Sequence, residues 1–169
     1  MRWIVLAVAL LAPLAGRAEE PPAEEPPGGT NIVFVQLGGQ IEVARYRSGF
    51  QLAGGYQRFL KSIMWLDLAT SVVVHRNTNW ALDGGVRWKF ARSKSGVEAY
   101  LRTLLEFAVF AESQTQFVLG ARVGGGAAYY SSPGFGASLE ATISVGPAFG
   151  GDSGVASSLE LLAGVEFPF

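Results

Sequence analysis

The side chains most able to do chemistry in this sequence are charged residues that recur at every second position of apolar segments. Alternate residues of a strand point to the same face, so these charges would share the interior of a sheet that curls around them. Eight acids and four bases follow this pattern: Glu42, Asp67, Asp83, Arg87, Lys89, Glu98, Arg102, Glu106, Arg122, Glu140, Glu160 and Glu166. A buried charge must be paired or neutralised, so we expect a lumenal charge network with an excess of carboxylates.

The breaks between the segments predict which of these charges meet. Counting outward from turns near 77–78, 93 and 114 gives four pairs: Asp67–Arg87, Asp83–Arg102, Lys89–Glu98 and Glu106–Arg122. Glu140 and Glu160 project into the same interior from the last two segments. This network has two interpretations, a path for protons or ions, or a set of salt bridges that fills and stiffens the interior.

Other kinds of catalytic or binding chemistry have little support in the sequence. The chain has no cysteine, which excludes disulfides and thiol catalysis, and its one histidine, His75, excludes a multi-histidine zinc site. His75 shares a face with Ser71, but four residues of a strand span about 13 Å, too far for a nucleophile and its base. The net charge of -1, without a Lys/Arg cluster, excludes a nucleic-acid binder. We therefore expect no catalytic, cofactor-binding or metal-binding residues.

Eight alternating segments must position the charges. We predict strands at residues 33–46, 50–60, 63–75, 80–91, 97–111, 116–130, 135–149 and 155–169. The connections are short and are polar or contain glycine, which favours antiparallel pairing of every neighbouring pair. The apolar faces are continuous over about 9–11 residues, the length of a tilted strand that crosses a bilayer.

A soluble sandwich with inward apolar faces is the alternative fold, but its outer face would need more charge than the Gly, Ala, Ser and Gln found here. Aromatic residues also gather near the strand ends, as in the two girdles of a membrane barrel. One girdle contains Tyr46, Phe50, Trp80, Phe110, Phe117 and Phe149. The other contains Phe34, Phe59, Trp65, Trp88, Phe90, Tyr100, Tyr129, Tyr130, Phe135, Phe167 and Phe169. An open edge in lipid would leave backbone groups unpaired, so the first strand must pair with the eighth. We predict an all-β fold, an eight-stranded antiparallel up-and-down transmembrane β-barrel with short turns at both ends.

The N-terminal residues indicate export. A positive charge at Arg2, an apolar run over residues 3–12 and small residues before Glu19 predict a cleaved secretory signal peptide at residues 1–18. Residues 19–32 are rich in Pro and Glu and predict a disordered periplasmic tether. The barrel is expected to occupy residues 33–169.

This architecture resembles the small eight-stranded outer-membrane barrels of Gram-negative bacteria, the group that contains the OmpA transmembrane domain and OmpX. The most specific motif is at the C-terminus, where Gly164, Phe167 and Phe169 fit the Gly-x-x-hydrophobic-x-aromatic signal read by the barrel-assembly machinery. Pro168 departs from the usual pattern. The resemblance implies a place in the bacterial outer membrane, contact with its lipid and with the assembly machinery, and a lumen plugged by salt bridges.

We interpret the chain as a small, monomeric, integral outer-membrane protein with a structural or envelope-maintenance role. The plug would consist of Glu42, Asp67, Asp83, Arg87, Arg102, Glu106, Arg122, Glu140 and Glu160. A narrow channel for protons or small solutes is the alternative, and a lipid-modifying outer-membrane enzyme is the third interpretation. The predicted external connections, residues 47–49, 76–79, 112–115 and 150–154, are too short for the interface of a receptor or adhesin.

Overall fold

The structure is a closed barrel of eight antiparallel strands. This computed structural model describes residues 30–44, 48–74, 78–90, 96–111, 115–132, 134–150 and 153–169. The strands are β1 (Asn31–Ala44), β2 (Gly49–Lys61), β3 (Met64–Val74), β4 (Thr78–Lys89), β5 (Val97–Phe110), β6 (Gln116–Ser132), β7 (Phe135–Phe149) and β8 (Gly154–Pro168). Each strand pairs with its neighbours in the chain, and β1 also pairs with β8, so the predicted fold class is confirmed. The predicted bounds fall within two residues of those observed.

The barrel begins slightly earlier than the sequence predicted. Asn31 and Ile32, which the composition places in the tether, are the first residues of β1. The reason lies in β8, which runs to Pro168 and needs a partner for its last backbone groups. The Phe169 N–H donates to the Asn31 carbonyl at 2.9 Å, and the Asn31 N–H donates back at 3.2 Å. The signal peptide, the tether up to residue 29, Tyr46 and His75 lie outside the described residues.

The outer face of the barrel is apolar and the inner face is polar. Leu105 is 72% exposed on the outside, whereas Glu106, the next residue, is fully buried inside. Ile143 and Leu161 are also exposed, and Leu66 is half-buried on the same outer face, as the alternation predicts. No helix among the described residues is long and apolar enough to cross a membrane.

Glycines on the inner face make room for aromatic rings. A Cβ atom at Gly55 would lie 2.6 Å from Cζ of Phe34, and one at Gly126 would lie 2.7 Å from the Tyr100 hydroxyl. Gly54 points outward, and its nearest neighbour would be 3.5 Å away. The inner glycines therefore allow large side chains to fill a lumen that is narrow because the barrel has only eight strands.

Candidate functional site

The buried charges of the lumen form two clusters. The Arg122 cluster consists of Asp83, Glu106, Arg122 and Glu160. The Arg87 cluster consists of Asp67, Arg87, Lys89, Arg102, Glu140 and Glu166. The Arg87 cluster lies toward the barrel end that carries Asn31 and Phe169, here called the terminal rim. The Arg122 cluster lies toward the other end, where Phe117 pairs with Phe149, here called the loop rim.

In the Arg122 cluster, three carboxylates surround one guanidinium. Arg122 Nη1 lies 2.8 Å from Asp83 Oδ2, and Nη2 lies 2.8 Å from Glu106 Oε1 and 3.0 Å from Glu160 Oε1. Arg122 Nε donates to Ser144 Oγ at 3.0 Å, so every nitrogen of the guanidinium has a partner. The resulting arrangement holds strands β4, β5, β6, β7 and β8 together across the lumen.

In the Arg87 cluster, two guanidiniums share two carboxylates. Arg87 Nε donates to Asp67 at 2.9 Å and Nη2 to Glu140 at 3.4 Å, while Arg102 donates to the same two acids. Arg87 Nη1 also reaches Glu166 at 3.1 Å. These hydrogen bonds are charge-assisted because both partners are ionised groups. They are shielded from bulk water because the side chains are at most 2% exposed. They connect β3, β4, β5, β7 and β8.

Lys89 extends the Arg87 cluster to the terminal rim. Its Nζ lies 3.5 Å from Glu98 and 3.7 Å from Glu166, and it donates to the Tyr130 hydroxyl at 3.1 Å. The Glu98 side chain is 15% exposed, so this end of the network approaches solvent. The Tyr130 hydroxyl in turn donates to Glu166.

Three of the four charge pairs that the turns predict are in contact in the structure: Asp67–Arg87, Lys89–Glu98 and Glu106–Arg122. The two residues of each pair are not directly opposite each other in the register of the strands. The expected Asp83–Arg102 pair is wrong, because Asp83 binds Arg122 instead. The register of β4 and β5 sets Asp83 opposite Glu106 and Arg87 opposite Arg102. Like charges therefore face each other. Arg122 of β6 bridges the two acids, and Asp67 of β3 with Glu140 of β7 bridges the two arginines.

Glu42 does not belong to the buried network, contrary to the sequence interpretation. It has the inward parity of Gln36 and Gln40, but it is exposed at the loop rim. The register of β1 with β8 shifts between Glu42 and Ala44, and the Glu42 backbone N–H donates to Ser48 Oγ at 2.9 Å. The irregular register beside Glu42 turns its side chain out to solvent, although Ser158, its partner in β8, is buried in the lumen.

Six aromatic residues that the sequence analysis places in the outer girdles lie on the inner face of the barrel. Phe34, Trp65, Tyr100, Phe110 and Tyr130 are between 1% and 7% exposed. Phe59 is half-buried, pairs with Trp65 and has its ring centre 5.5 Å from that of Trp65. Position near a strand end does not decide the facing of these residues, whereas parity does. Phe34, for example, shares the face of Gln36, as Trp65 shares that of Asp67.

The inward aromatic rings contact the Arg87 cluster directly. The Tyr100 hydroxyl donates to Glu140 Oε2 at 2.9 Å, and Arg87 Cζ lies 4.2 Å from the centre of the Tyr100 ring. Lys89 Nζ lies 4.5 Å from the centre of the Trp65 ring. Such cation–π contacts stabilise a cation that has lost its water. Sequence reasoning therefore missed part of the site.

Apolar residues separate the two clusters from each other and from the loop rim. On the inner face, Leu104 lies between Arg102 and Glu106, and Leu162 lies between Glu160 and Glu166. On the loop-rim side, the inner face is lined by Val73, Ala81, Ala108, Phe110, Val118, Ala148 and Ala156. Along its length the lumen thus alternates charged clusters with mainly apolar layers, in which Thr142 and Asn79 are buried polar exceptions.

The residues of the proposed assembly signal lie in the last strand. Gly164 pairs with Gln36 of β1 and Ser138 of β7, and Phe167 is exposed on the outer face, as is Phe169. No group of three or more His, Asp or Glu side chains within the described ranges is arranged to hold a metal ion.

Comparisons with solved structures bear on the fold. Neisserial surface protein A aligns with a TM-score of 0.63 at 16% identity, covering 84% of this chain and 97% of that one. The N-terminal β-barrel domain of Pseudomonas aeruginosa OprF aligns with a TM-score of 0.56 at 22% identity, covering 83% and 99%. A de novo designed transmembrane β-barrel aligns with a TM-score of 0.58 at 16% identity, covering 86% and 100%. No protein-family model and no curated protein sequence matches this chain. The resemblance to small eight-stranded outer-membrane barrels is therefore confirmed at the level of the fold.

Proposed function

We propose that this chain is a small integral protein of the bacterial outer membrane whose role is structural, in maintenance of the envelope. The apolar outer face supports a membrane location, because side chains such as Leu105 and Leu139 are 72% and 68% exposed. A monomeric soluble protein rarely exposes contiguous apolar patches of more than a few hundred Å². Export by a cleaved signal peptide at residues 1–18 belongs to the same proposal.

The observation that best supports the structural role is that buried ion pairs fill much of the lumen. Arg87, Arg102 and Arg122 bind carboxylates from several strands, and apolar side chains such as Leu104 fill the space between the clusters. An eight-stranded barrel has an interior just wide enough for side chains, so these groups occupy the route that a solute would need. The network is therefore proposed as a plug that also fixes the strands around it.

A narrow channel for protons or small solutes is the second candidate, and one observation favours it. Gln36 and Gln57 are at most 1% exposed, and neither amide atom of either side chain has a hydrogen-bond partner among the described residues. Buried polar groups of this kind are commonly satisfied by internal water. A continuous file of such water would be needed for conduction, and the apolar layers at Leu104 and Phe110 oppose it.

The envelope role is tested by deleting the gene and measuring leakage of a periplasmic enzyme and sensitivity to detergent. We expect both to increase, and we expect restoration by the wild-type chain and by Leu105→Ala, which keeps an apolar side chain at the same outward position. Leu105→Arg should fail to restore them, because an arginine on the lipid face at mid-membrane costs about 2–4 kcal/mol. An unchanged envelope after deletion would contradict the structural role.

A further inference from the structure

Two exposed cations lie near each other in β2 at the terminal rim. Arg58 pairs with Asn31, the first residue of β1, and it is exposed, as is Lys61 three residues further along the strand. Among the described residues, the only other exposed charged side chain is Glu42, at the loop rim. Neither Arg58 nor Lys61 forms an ion pair with a described residue. The terminal rim of β2 thus presents positive charge without a described acid beside it.

A β-bulge turns Lys61 to the same side of the wall as Arg58. Regular alternation would give residue 61 the inward parity of Phe59, but the register of β2 with β3 shifts between them. Lys61 therefore lies opposite Met64, which shares the outer face with Leu66, the partner of Arg58. Directly opposed residues of neighbouring strands have their side chains on the same face, and bulges commonly redirect a side chain at the rim of a barrel. Both cations thus lie on the outer face, about 10 Å apart along the strand.

Asn31 adds a neutral hydrogen-bond donor beside Arg58. The Tyr56 hydroxyl donates to Asn31 Oδ1, and Asn31 Nδ2 donates to Thr30 Oγ1 at 3.2 Å. An amide nitrogen carries two hydrogens, so Asn31 Nδ2 retains one for a further acceptor. Phosphate oxygens are acceptors, and arginine and lysine bind them through charge-assisted hydrogen bonds. The donors at this rim therefore suit a phosphate group.

An apolar groove lies on the same outer face, nearer to the middle of β2. Its volume is about 260 Å³, and its outward lining residues are Val35, Leu52, Gly54, Thr70 and Val72; it is called the Gly54 groove below. Gly54 places no side chain in it, and the Thr70 hydroxyl donates to the Ala81 carbonyl at 3.0 Å. Gly54 and Arg58 are four residues apart in one strand, about 13 Å. A hydrocarbon chain attached to a phosphate at Arg58 can therefore reach the groove.

We propose that the outer face of β2 binds one phospholipid of net negative charge at the terminal rim. Its phosphate would contact Arg58, Lys61 and Asn31, and one acyl chain would lie in the Gly54 groove. This inference rests on the proposed membrane location and adds a specific lipid to it. Basic side chains at a membrane surface attract anionic lipids. A headgroup that also carries an amine gains less, because its own positive charge is repelled by the two cations.

Native mass spectrometry of the refolded full-length protein in detergent micelles counts the lipid molecules that remain bound. Phosphatidylglycerol and phosphatidylcholine with identical acyl chains are titrated separately and in competition. We expect one phosphatidylglycerol to bind in preference to phosphatidylcholine. Arg58→Gln and Lys61→Gln should each raise the Kd for phosphatidylglycerol about fivefold, as expected for one basic residue at a membrane surface.

Gly54→Leu and Gly84→Leu are a matched pair that separates the groove from a general effect of the wall. Gly84 lines a second apolar groove on the outer face, between Leu82 and Leu105, and no described residue of β4 is an exposed cation. Gly54→Leu should weaken phosphatidylglycerol binding, whereas Gly84→Leu should leave it unchanged. Glu42→Gln, at the loop rim, should also leave it unchanged. Gel mobility before and after boiling shows that each variant is folded and inserted in phosphatidylcholine vesicles.

Equal affinities of the wild type for the two lipids would overturn the lipid site, as would an unchanged preference in the Arg58→Gln/Lys61→Gln double variant or in Gly54→Leu. Failure of the proposed membrane location is a different result, a wild-type protein that does not insert into vesicles at all. Residues 19–29 contain four glutamates, which could compete for the same cations. A preference for phosphatidylglycerol that appears only after deletion of residues 19–29 would assign the rim to that acidic segment and overturn the proposal.

Discussion

Gly54 and Gly55 are neighbours in β2 that face opposite sides of the barrel wall, and replacing each by alanine tests the facing of the fold. At Gly55, a Cβ atom would lie 2.2 Å from the Leu68 carbonyl oxygen and 2.6 Å from Cζ of Phe34. At Gly54, its nearest neighbour would be the Phe34 carbonyl oxygen at 3.5 Å, an ordinary contact. The same methyl group is thus overpacked at one residue and accommodated at the next.

The expected magnitudes follow from these contacts. Gly55→Ala must shift backbone atoms of β3 and the Phe34 ring, whose centre lies 5.5 Å from Arg87 Cζ. Overpacking of this kind typically costs about 1–3 kcal/mol. Gly54→Ala adds a methyl group on the outer face and restricts the unfolded chain, which commonly stabilises a protein by about 0.4–1 kcal/mol.

Urea unfolding in lipid vesicles, followed by the gel mobility of folded and unfolded protein, measures both free energies. We expect Gly55→Ala to lower the midpoint and Gly54→Ala to leave it equal or higher. A larger loss for Gly54→Ala, or equal losses for the two variants, would refute the assignment of inner and outer faces.

Three further predictions concern the wall and the network. Leu105→Arg should reduce the yield of membrane-inserted, heat-modifiable protein far more than Leu105→Ala, since an arginine facing lipid at mid-membrane costs about 2–4 kcal/mol; similar yields would contradict the outward position. Arg122→Ala should lower the free energy of unfolding by about 3–5 kcal/mol, because it leaves three buried carboxylates without their guanidinium, and Glu106→Ala should lower it by less. In urea titrations, the double variant should lose less stability than the sum of the two single losses. Additive losses would show that Glu106 and Arg122 are not coupled. Tyr100→Phe removes the hydroxyl bonded to Glu140 and should cost about 1.5–3 kcal/mol, while Tyr129→Phe, on the outer face, should be nearly neutral in the same titration.

The wall of the barrel was predictable because one rule fixes it. Hydrophobic residues at every second position, as at Leu101, Leu105 and Phe107, require a two-sided sheet, and short connections require antiparallel neighbours. Closure then follows from the cost of unpaired backbone groups in lipid. The same parity rule would have placed Tyr100 inside with Arg102, had it been applied to the aromatic residues.

The pairing inside the lumen was harder to predict because it depends on register and on contacts between distant strands. The pairing of β4 with β5 is centred later in the chain than the turn predicted near residue 93. Each side chain is therefore displaced from its expected partner, and Asp83 faces Glu106 instead of Arg102. The sequence also gives no sign that Arg87 reaches Glu166 of β8, far away in the chain. Such contacts exist only because the barrel closes.

The central claim, that the lumen is closed to ions, is tested most directly by single-channel recording of the refolded wild-type protein in planar lipid bilayers. Gel mobility of the same sample, before and after boiling, establishes that the inserted protein is folded. We expect no steady conductance above that of the bare bilayer, because two charged clusters and the apolar layers between them occupy the lumen. Reproducible conductance steps from folded protein would contradict the plug and favour the channel.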